Sequence, residues 1–412
     1  MKNTTLKTAL LGMTAAFLFL SCQKDLTNSP KYNTTDLRPL TAQEAKTVSS
    51  SNDFAFRLLQ KLQPQQPNQN LFVSPLSISS ALTMALNGAD GTTKEAMQQT
   101  LGFALQTDKE INQSFKSLQD LLTGLDNQVN FTTANSIWYA QQYELQAPFV
   151  QQNQTYFNAT VQKLNFSSPT AKNTINDWVK EKTQGKIPDI VQEIRPDHVL
   201  FLVNALYFKG TWTYPFDKKL TQKAPFRQED GSTAQVDFMT LKNGEYLYFN
   251  DASKQVIDLP YGNRQFSMTI IVPNGQETVS NLTRQLNADQ LATWLGKANT
   301  TKLDLRLPKF KLEYKKELKE TLKQLGMGEA FSNQANFSRM VAGSTGGLAI
   351  SEVMHKTFVE VNEEGTEAAA ATSVGVVLTS LPPTIQVDRP FIFLIREKSS
   401  NAILFIGQLM NP

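Results

Sequence analysis

Glu363-Glu364-Gly365-Thr366-Glu367-Ala368-Ala369-Ala370-Ala371-Thr372-Ser373-Val374-Gly375-Val376-Val377-Leu378-Thr379-Ser380-Leu381-Pro382-Pro383 can be read in two ways. Four consecutive alanines after acidic residues favour a helix. The second half, rich in Val and Thr, favours a strand. Every second residue from Thr366 gives Thr366, Ala368, Ala370, Thr372, Val374, Val376 and Leu378, an uncharged set that grows more apolar along its length. The other register holds Glu367, Ala369, Ala371, Ser373, Gly375, Val377 and Thr379, and with it the charge and most of the polar or small residues. A period of two with one buriable face is the pattern of a strand. Periodicity alone fits an ordinary buried strand equally well.

Outward from this stretch, helical and strand-like segments alternate irregularly. Phe54, Leu58, Leu59 and Leu62 recur at helical spacing, and Pro64 and Pro67 end that helix. Leu71-Phe72-Val73 reads as a short strand, followed by a helix from Ser74-Pro75 to about Gly88. Ile175, Trp178 and Val179 mark a helix capped at Asn173 or Thr174, and Leu318, Leu322 and Leu325 mark another closed by Gly326. Strand-like runs are Phe131–Ala140, Val199–Phe208, Gln265–Val272, Leu303–Leu307, Thr357–Val361 and Phe391–Arg396. No repeat and no Pro/Gly/Ser linker divides the chain after residue 45. The expectation is one α+β domain over residues 44–412.

The 412 residues carry a formal charge of +3, which falls to +1 if Lys2 and Lys7 are removed (3 − 2 = 1). That near-neutrality disfavours a nucleic-acid binder. Cys22 is the single cysteine, so no intrachain disulfide can form. It follows Lys2, Lys7, the apolar run Ala9–Leu20 and Ser21, the layout of a signal peptide over residues 1–21. The run is too short for the roughly 20 residues of a spanning helix. Cys22 just after it resembles the acylated cysteine of a bacterial lipobox, with Phe19 in place of the usual leucine. Gln23-Lys24-Asp25 resembles a short charged signal that sends bacterial lipoproteins to the cell surface. Residues 22–43 then read as a disordered tether from the acylated cysteine. The implied location is the outer membrane, exposed at the surface, with the membrane met through the lipid only.

Signs of enzyme chemistry are sparse. His198 and His355 are the two histidines, and H-E-x-x-H, a phosphate-binding loop and G-x-S-x-G are all missing. Gly343-Ser344-Thr345-Gly346-Gly347 lacks the lysine of a nucleotide loop and reads as a surface turn. Lys315, Lys316, Lys319 and Lys323 are placed on a helix among Glu313, Glu317 and Glu320, usually a solvated face and alternatively a polyanion site. No cofactor and no metal is expected.

Glu364-Gly365-Thr366-Glu367-Ala368-Ala369-Ala370-Ala371-Thr372 resembles the hinge of inhibitory serpins almost letter for letter. Asn70-Leu71-Phe72-Val73-Ser74-Pro75-Leu76-Ser77-Ile78, Asn204-Ala205-Leu206-Tyr207-Phe208-Lys209-Gly210 with Trp212 and Phe216, Leu307-Pro308-Lys309-Phe310, and Asp388-Arg389-Pro390-Phe391-Ile392-Phe393 resemble further blocks of that family, in unbroken order. The resemblance implies the serpin fold: mixed β-sheets with surrounding helices and an exposed reactive-centre loop. It implies a monomeric suicide inhibitor, not an enzyme, whose partner is a serine endopeptidase held covalently. By family spacing the reactive bond is Thr379–Ser380, with Val377 or Leu378 as alternatives. Lys and Arg are missing from Gly365 through Val387, so elastase-, subtilisin- or chymotrypsin-like targets are expected rather than trypsin-like ones. Ser74, Ser77, Asn204 and His355 match the polar cluster under the sheet where its strands part, and Trp212 matches the aromatic residue near the loop's entry. Loop insertion as a new strand, a known case of strand addition in this family, would bury Val374, Val376 and Leu378. With about ten ladder hydrogen bonds the gross gain is on the order of 10–25 kcal/mol. A charged or bulky residue at Thr366 would oppose entry.

Overall fold

A computed structural model describes residues 38–195, 198–341, 343, 348–366 and 382–412. The helix expected around Phe54 is α1 (Ala42–Leu62). Thr41 and Glu44 cap its start reciprocally, and Gln63-Pro64 turns it into a single 3-10 turn. Its first residues lie inside the stretch expected to be tether. Arg38 pairs with the buried Glu44 at 2.5 Å, and Leu40 packs on the core. The signal-peptide and Cys22 assignments lie outside the described residues. Among those described, no helix is long and apolar enough to cross a membrane.

Five more helices matter to the site: α2 (Pro75–Leu86), α3 (Gly91–Leu101), α4 (Asp108–Leu122), α5 (Ala147–Phe157) and α6 (Ala171–Lys182). α6 begins before Asn173 and Thr174, because a turn at Ser168–Thr170 already sets helical geometry: the Ala171 N–H donates to the Ser168 carbonyl.

The strands are β1 (Leu71–Val73), β2 (Val129–Ala140), β3 (Thr160–Leu164), β4 (Leu200–Thr211), β5 (Gln222–Arg227), β6 (Thr233–Asn250), β7 (Lys254–Tyr261) and β8 (Phe266–Pro273). They continue as β9 (Asn299–Pro308), β10 (Phe310–Glu317), β11 (Met354–Asn362), β12 (Gly365–Thr366), β13 (Thr384–Gln386), β14 (Phe391–Glu397) and β15 (Ile403–Leu409). One sheet runs β1-β15-β14-β8-β7-β6-β9-β13 with β5 added on β6, and the other runs β10-β11-β12-β4-β2-β3.

β10 corrects the reading of the basic cluster. Phe310, Leu312 and Tyr314 are buried while Lys311, Glu313 and Lys315 are exposed, so Glu313, Lys315, Lys316 and Glu317 are strand residues paired with β11. Lys319 and Glu320 alone of that group fall in the one-turn helix Lys319–Leu322. Lys323 follows in a wide turn through Met327, in which Gly326 adopts φ +112°.

The main core fills the space between the two sheets. Phe72 of β1 stacks on Phe405 at 4.8 Å and Phe393 at 5.5 Å between ring centroids. A second core lies on the outer face of the six-stranded sheet. There Ile175 and Val179 of α6 cover Trp138 of β2 and Phe201, Val203 and Ala205 of β4. β4 is therefore buried on both faces, with Leu206 and Phe208 turned inward.

Candidate functional site

The site is the place where the chain after β11 turns back and enters the six-stranded sheet. The turn at Asn362–Glu364 is fastened from below. The Phe216 N–H donates to the Glu363 carbonyl at 2.8 Å, the Trp212 N–H to the Glu364 carbonyl at 2.9 Å, and the Trp212 indole N–H to the Asn362 carbonyl at 2.9 Å. Glu363 is buried and accepts from the Thr221 hydroxyl at 2.7 Å and Lys309 at 3.1 Å. Burial raises its pKa, but those two bonds, its own backbone N–H and the Lys309 charge together outweigh it and leave the carboxyl below the ordinary carboxylate range. Glu364 pairs with Lys218.

From this root, Gly365 and Thr366 form β12, antiparallel to both neighbours. Gly365 lies opposite Asn362 of β11 and Thr211 of β4, and Thr366 lies opposite Val361 and Gly210. Gly365 takes φ +151°, and a Cβ there would lie 2.0 Å from the Gly210 carbonyl oxygen. No side chain fits at 365 in this conformation. Thr366 is buried, its hydroxyl 2.7 Å from the phenol of Tyr261. The Tyr261 ring stacks on Trp212 at 4.4 Å and 12°. Burial pushes the Tyr261 pKa far up, so the phenol is neutral at any working pH.

A second polar cluster lies further along the same pair of strands. Ser74 caps α2, and its hydroxyl accepts from the Ser77 N–H and donates to the Leu404 carbonyl at 2.8 Å. The Ser74 N–H donates to Nε2 of His355 at 3.1 Å, which leaves the imidazole proton on Nδ1. Burial lowers the His355 pKa to about 3. Ser77 donates to the Asn204 amide oxygen, and the Asn204 NH2 donates to the amide oxygen of Asn135 in β2. Asn135 in turn donates to the Phe157 carbonyl, at the end of α5, at 2.7 Å. Asn204 and His355 both border a cavity of about 30 Å³ between β4 and β11, shared with Ser77 and Leu202.

Ser74, Ser77, Asn204 and His355 thus come together, while Trp212 sits at the entry turn among Asn362, Glu364 and Tyr261. Glu364, Gly365 and Thr366 are the part of the expected hinge that is described. Glu367, Ala368, Ala369, Ala370, Ala371 and Thr372 lie outside the described residues, as do Val377, Leu378, Thr379 and Ser380. Sequence reasoning missed Asn135, Tyr261, Thr221 and Lys218. Their partners are distant in the chain, and no local pattern marks them.

The arrangement is a two-residue strand held between β11 and β4, with glycines at 365 and 210 and a polar network further along. A family model described as "Serpin (serine protease inhibitor)" matches residues 49–412. An uncharacterized serpin-like protein of Methanosarcina mazei is 33% identical, covering 99% of this chain and 98% of that protein. The structure of the thermophilic serpin tengpin in its native state superposes with a TM-score of 0.82 at 32% identity, covering 91% of this chain and 96% of that one. Human thyroxine-binding globulin complexed with its hormone superposes at 0.83 with 31% identity, covering 90% of this chain and 100% of that one.

Proposed function

The chain belongs to the serpin family, whose members are mostly protease inhibitors, and from that membership we propose that it is an irreversible suicide-substrate inhibitor of serine endopeptidases. The observation that carries this reading is β12. Its two residues occupy the slot between β11 and β4 in a defined antiparallel register. Extended in that register, the strand would bring Ala368 between Phe208 and Val359, Ala370 between Leu206 and Thr357, and Thr372 between Asn204 and His355. The facing residues Phe208 and Leu206 are large where the incoming residues are alanines. At that depth Thr372 would meet the polar network, where a hydroxyl can be satisfied.

In the proposed reaction a protease takes the segment after Thr372 as substrate. Its serine oxygen bonds to the carbonyl carbon of Thr379, the bond to Ser380 breaks, and the proton goes to the Ser380 amine. The freed strand then enters the slot, carrying the acyl-enzyme with it before water can release the enzyme. The lack of Lys and Arg from Gly365 through Val387 supports elastase-, subtilisin- or chymotrypsin-like targets. Val377 and Leu378 are the alternative bait residues.

Incubation with pancreatic elastase and with subtilisin is expected to give a complex of summed mass that survives a denaturing gel. Mass spectrometry of the released C-terminal peptide would identify the bond cut. Turnover of the loop by every protease tried, with no stable complex, would overturn the reading. A second reading, a serpin-fold binding protein, is favoured by the superposition on thyroxine-binding globulin; it is the one left standing by that outcome. The proposal extends to location: a monomer anchored through acylated Cys22 at the bacterial outer membrane. Cys22→Ser should then shift the protein from the membrane fraction to the soluble one.

A further inference from the structure

We infer that Tyr261 is a positioning residue for loop insertion: its phenol is the receptor that holds the hinge at its first inserted residue, Thr366. This rests on the inhibitory reading above and goes beyond it by naming the group that sets how readily insertion starts.

Three observations carry it. First, Thr366 is the described residue at which the hinge turns a side chain into the core, and its hydroxyl meets the Tyr261 phenol at 2.7 Å. Among the described residues this is the hydrogen bond of that phenol. Second, Tyr261 is fully buried and cannot turn away. Its ring lies flat on Trp212, touches Phe208 edge-on at 5.2 Å, and would meet a Cβ at Gly210 at 2.9 Å. Third, the stack is tied to the hinge root, because the Trp212 indole holds the Asn362 carbonyl. The phenol is therefore fixed relative to the turn that delivers Thr366, and the distance between them is set by rigid groups on both sides.

Two buried hydroxyls that satisfy each other make the first step of entry conditional on their pairing. A buried donor left without a partner costs more than the net gain of the bond, whereas replacing both partners by apolar groups of similar shape is nearly neutral. Tyr261→Phe leaves the Thr366 hydroxyl unpaired inside the sheet and disfavours β12. Thr366→Val does the same from the other side. Together they remove both polar groups and restore an apolar match. Once the loop is cut, slower entry gives the acyl-enzyme more time to hydrolyse, so the branch between trapping and release reports the hinge.

The test uses the full chain and its three variants, with two measurements. Hydrogen exchange of the peptide containing Glu363–Thr366, without any protease, reads hinge docking. The ratio of protease trapped to inhibitor cleaved reads the branch. Tyr261→Phe is expected to speed exchange and to raise turnover relative to trapping by about 5–30-fold, with the association rate unchanged. Adding Thr366→Val to it should return both towards wild type. Unchanged exchange in Tyr261→Phe, or a double variant no better than the single, would overturn the inference. A merely structural role for Tyr261 would lower the melting temperature without such rescue. If exchange responds as stated but no variant traps any protease, the inhibitory reading fails and the hinge assignment stands.

Discussion

His355 is the residue whose chemistry most directly links the sheet to pH. Its folded pKa of about 3 lies below the ordinary 6.5 because burial disfavours the imidazolium. In the unfolded chain the ring takes up a proton near 6.5, while the folded ring stays neutral down to about 3. Its stabilising contribution is therefore full above pH 6.5 and is lost as pH falls through that window, by up to about 1.4 kcal/mol per pH unit. His355→Gln keeps an acceptor for the Ser74 N–H and removes the titration. The melting temperature should then fall less steeply from pH 6.5 to 4 than in wild type, the carboxylates contributing equally to both. Parallel slopes would refute this. A second residue-scale prediction concerns Gly365. Gly365→Ala sets a Cβ against the Gly210 carbonyl at positive φ, a strain of about 1–3 kcal/mol. The variant should be cleaved as a substrate and trap little protease, as read on denaturing gels. Gly365 was legible in the sequence because it stands inside a motif. Tyr261 was not, since its role depends on a ring stack with Trp212 and on a partner more than a hundred residues away.

At the scale of elements, β12 is two residues long, yet it defines how every later residue would face. Alternation from Thr366 had already divided the stretch into an apolar and a polar set, and the burial of Thr366 identifies the apolar set with the inner face. The register makes a sharper statement: Ala371 should come to lie opposite Ala205, on the face covered by α6. Ala205→Cys with Ala371→Cys, in a chain whose one native cysteine is Cys22, should form a disulfide after the loop is cut and not before. Neighbouring strands bring Cα atoms within disulfide reach. A bridge in the uncut protein, or none after cleavage, would show the register to be wrong. Other elements were harder to read. The charged cluster from Glu313 to Lys323 reads as helix because Lys315 and Lys316 interrupt a Phe310-Leu312-Tyr314 alternation that the pairing of β10 with β11 makes plain. Short edge strands such as β3 and β13 owe their form to parallel neighbours rather than to their own composition.

For the whole molecule, the proposed function requires that the uncut chain not be its own most stable state. Insertion would add a strand to the middle of the six-stranded sheet, between β11 and β4, and the gross gain is on the order of 10–25 kcal/mol. With an unfolding entropy of about 2.1 cal/mol/K per residue over about 370 residues, that is a rise in melting temperature of ~10–30 °C. Nicking the loop with a protease that is then removed, followed by calorimetry, should show it. An unchanged melting temperature would mean an inert loop. The uncut form is then held by a barrier to sheet opening, and the Ser74–Ser77–Asn204–Asn135 network, which runs from α2 across β4 and β2 to α5, is part of what must rearrange.

The two glycines at the threshold have a consequence for how such a chain can diversify. Gly365 leaves no room for a side chain against the Gly210 carbonyl, and a side chain at Gly210 would press on the Tyr261 ring. A side chain is therefore disfavoured on both strands at the doorway, against backbone at 365 and against packed rings at 210. On the proposed mechanism the choice of protease is read instead at 377–380, more than ten residues further along the chain. If that mechanism holds, target range can drift through those positions, or be transplanted between homologues, while the trigger is inherited unaltered.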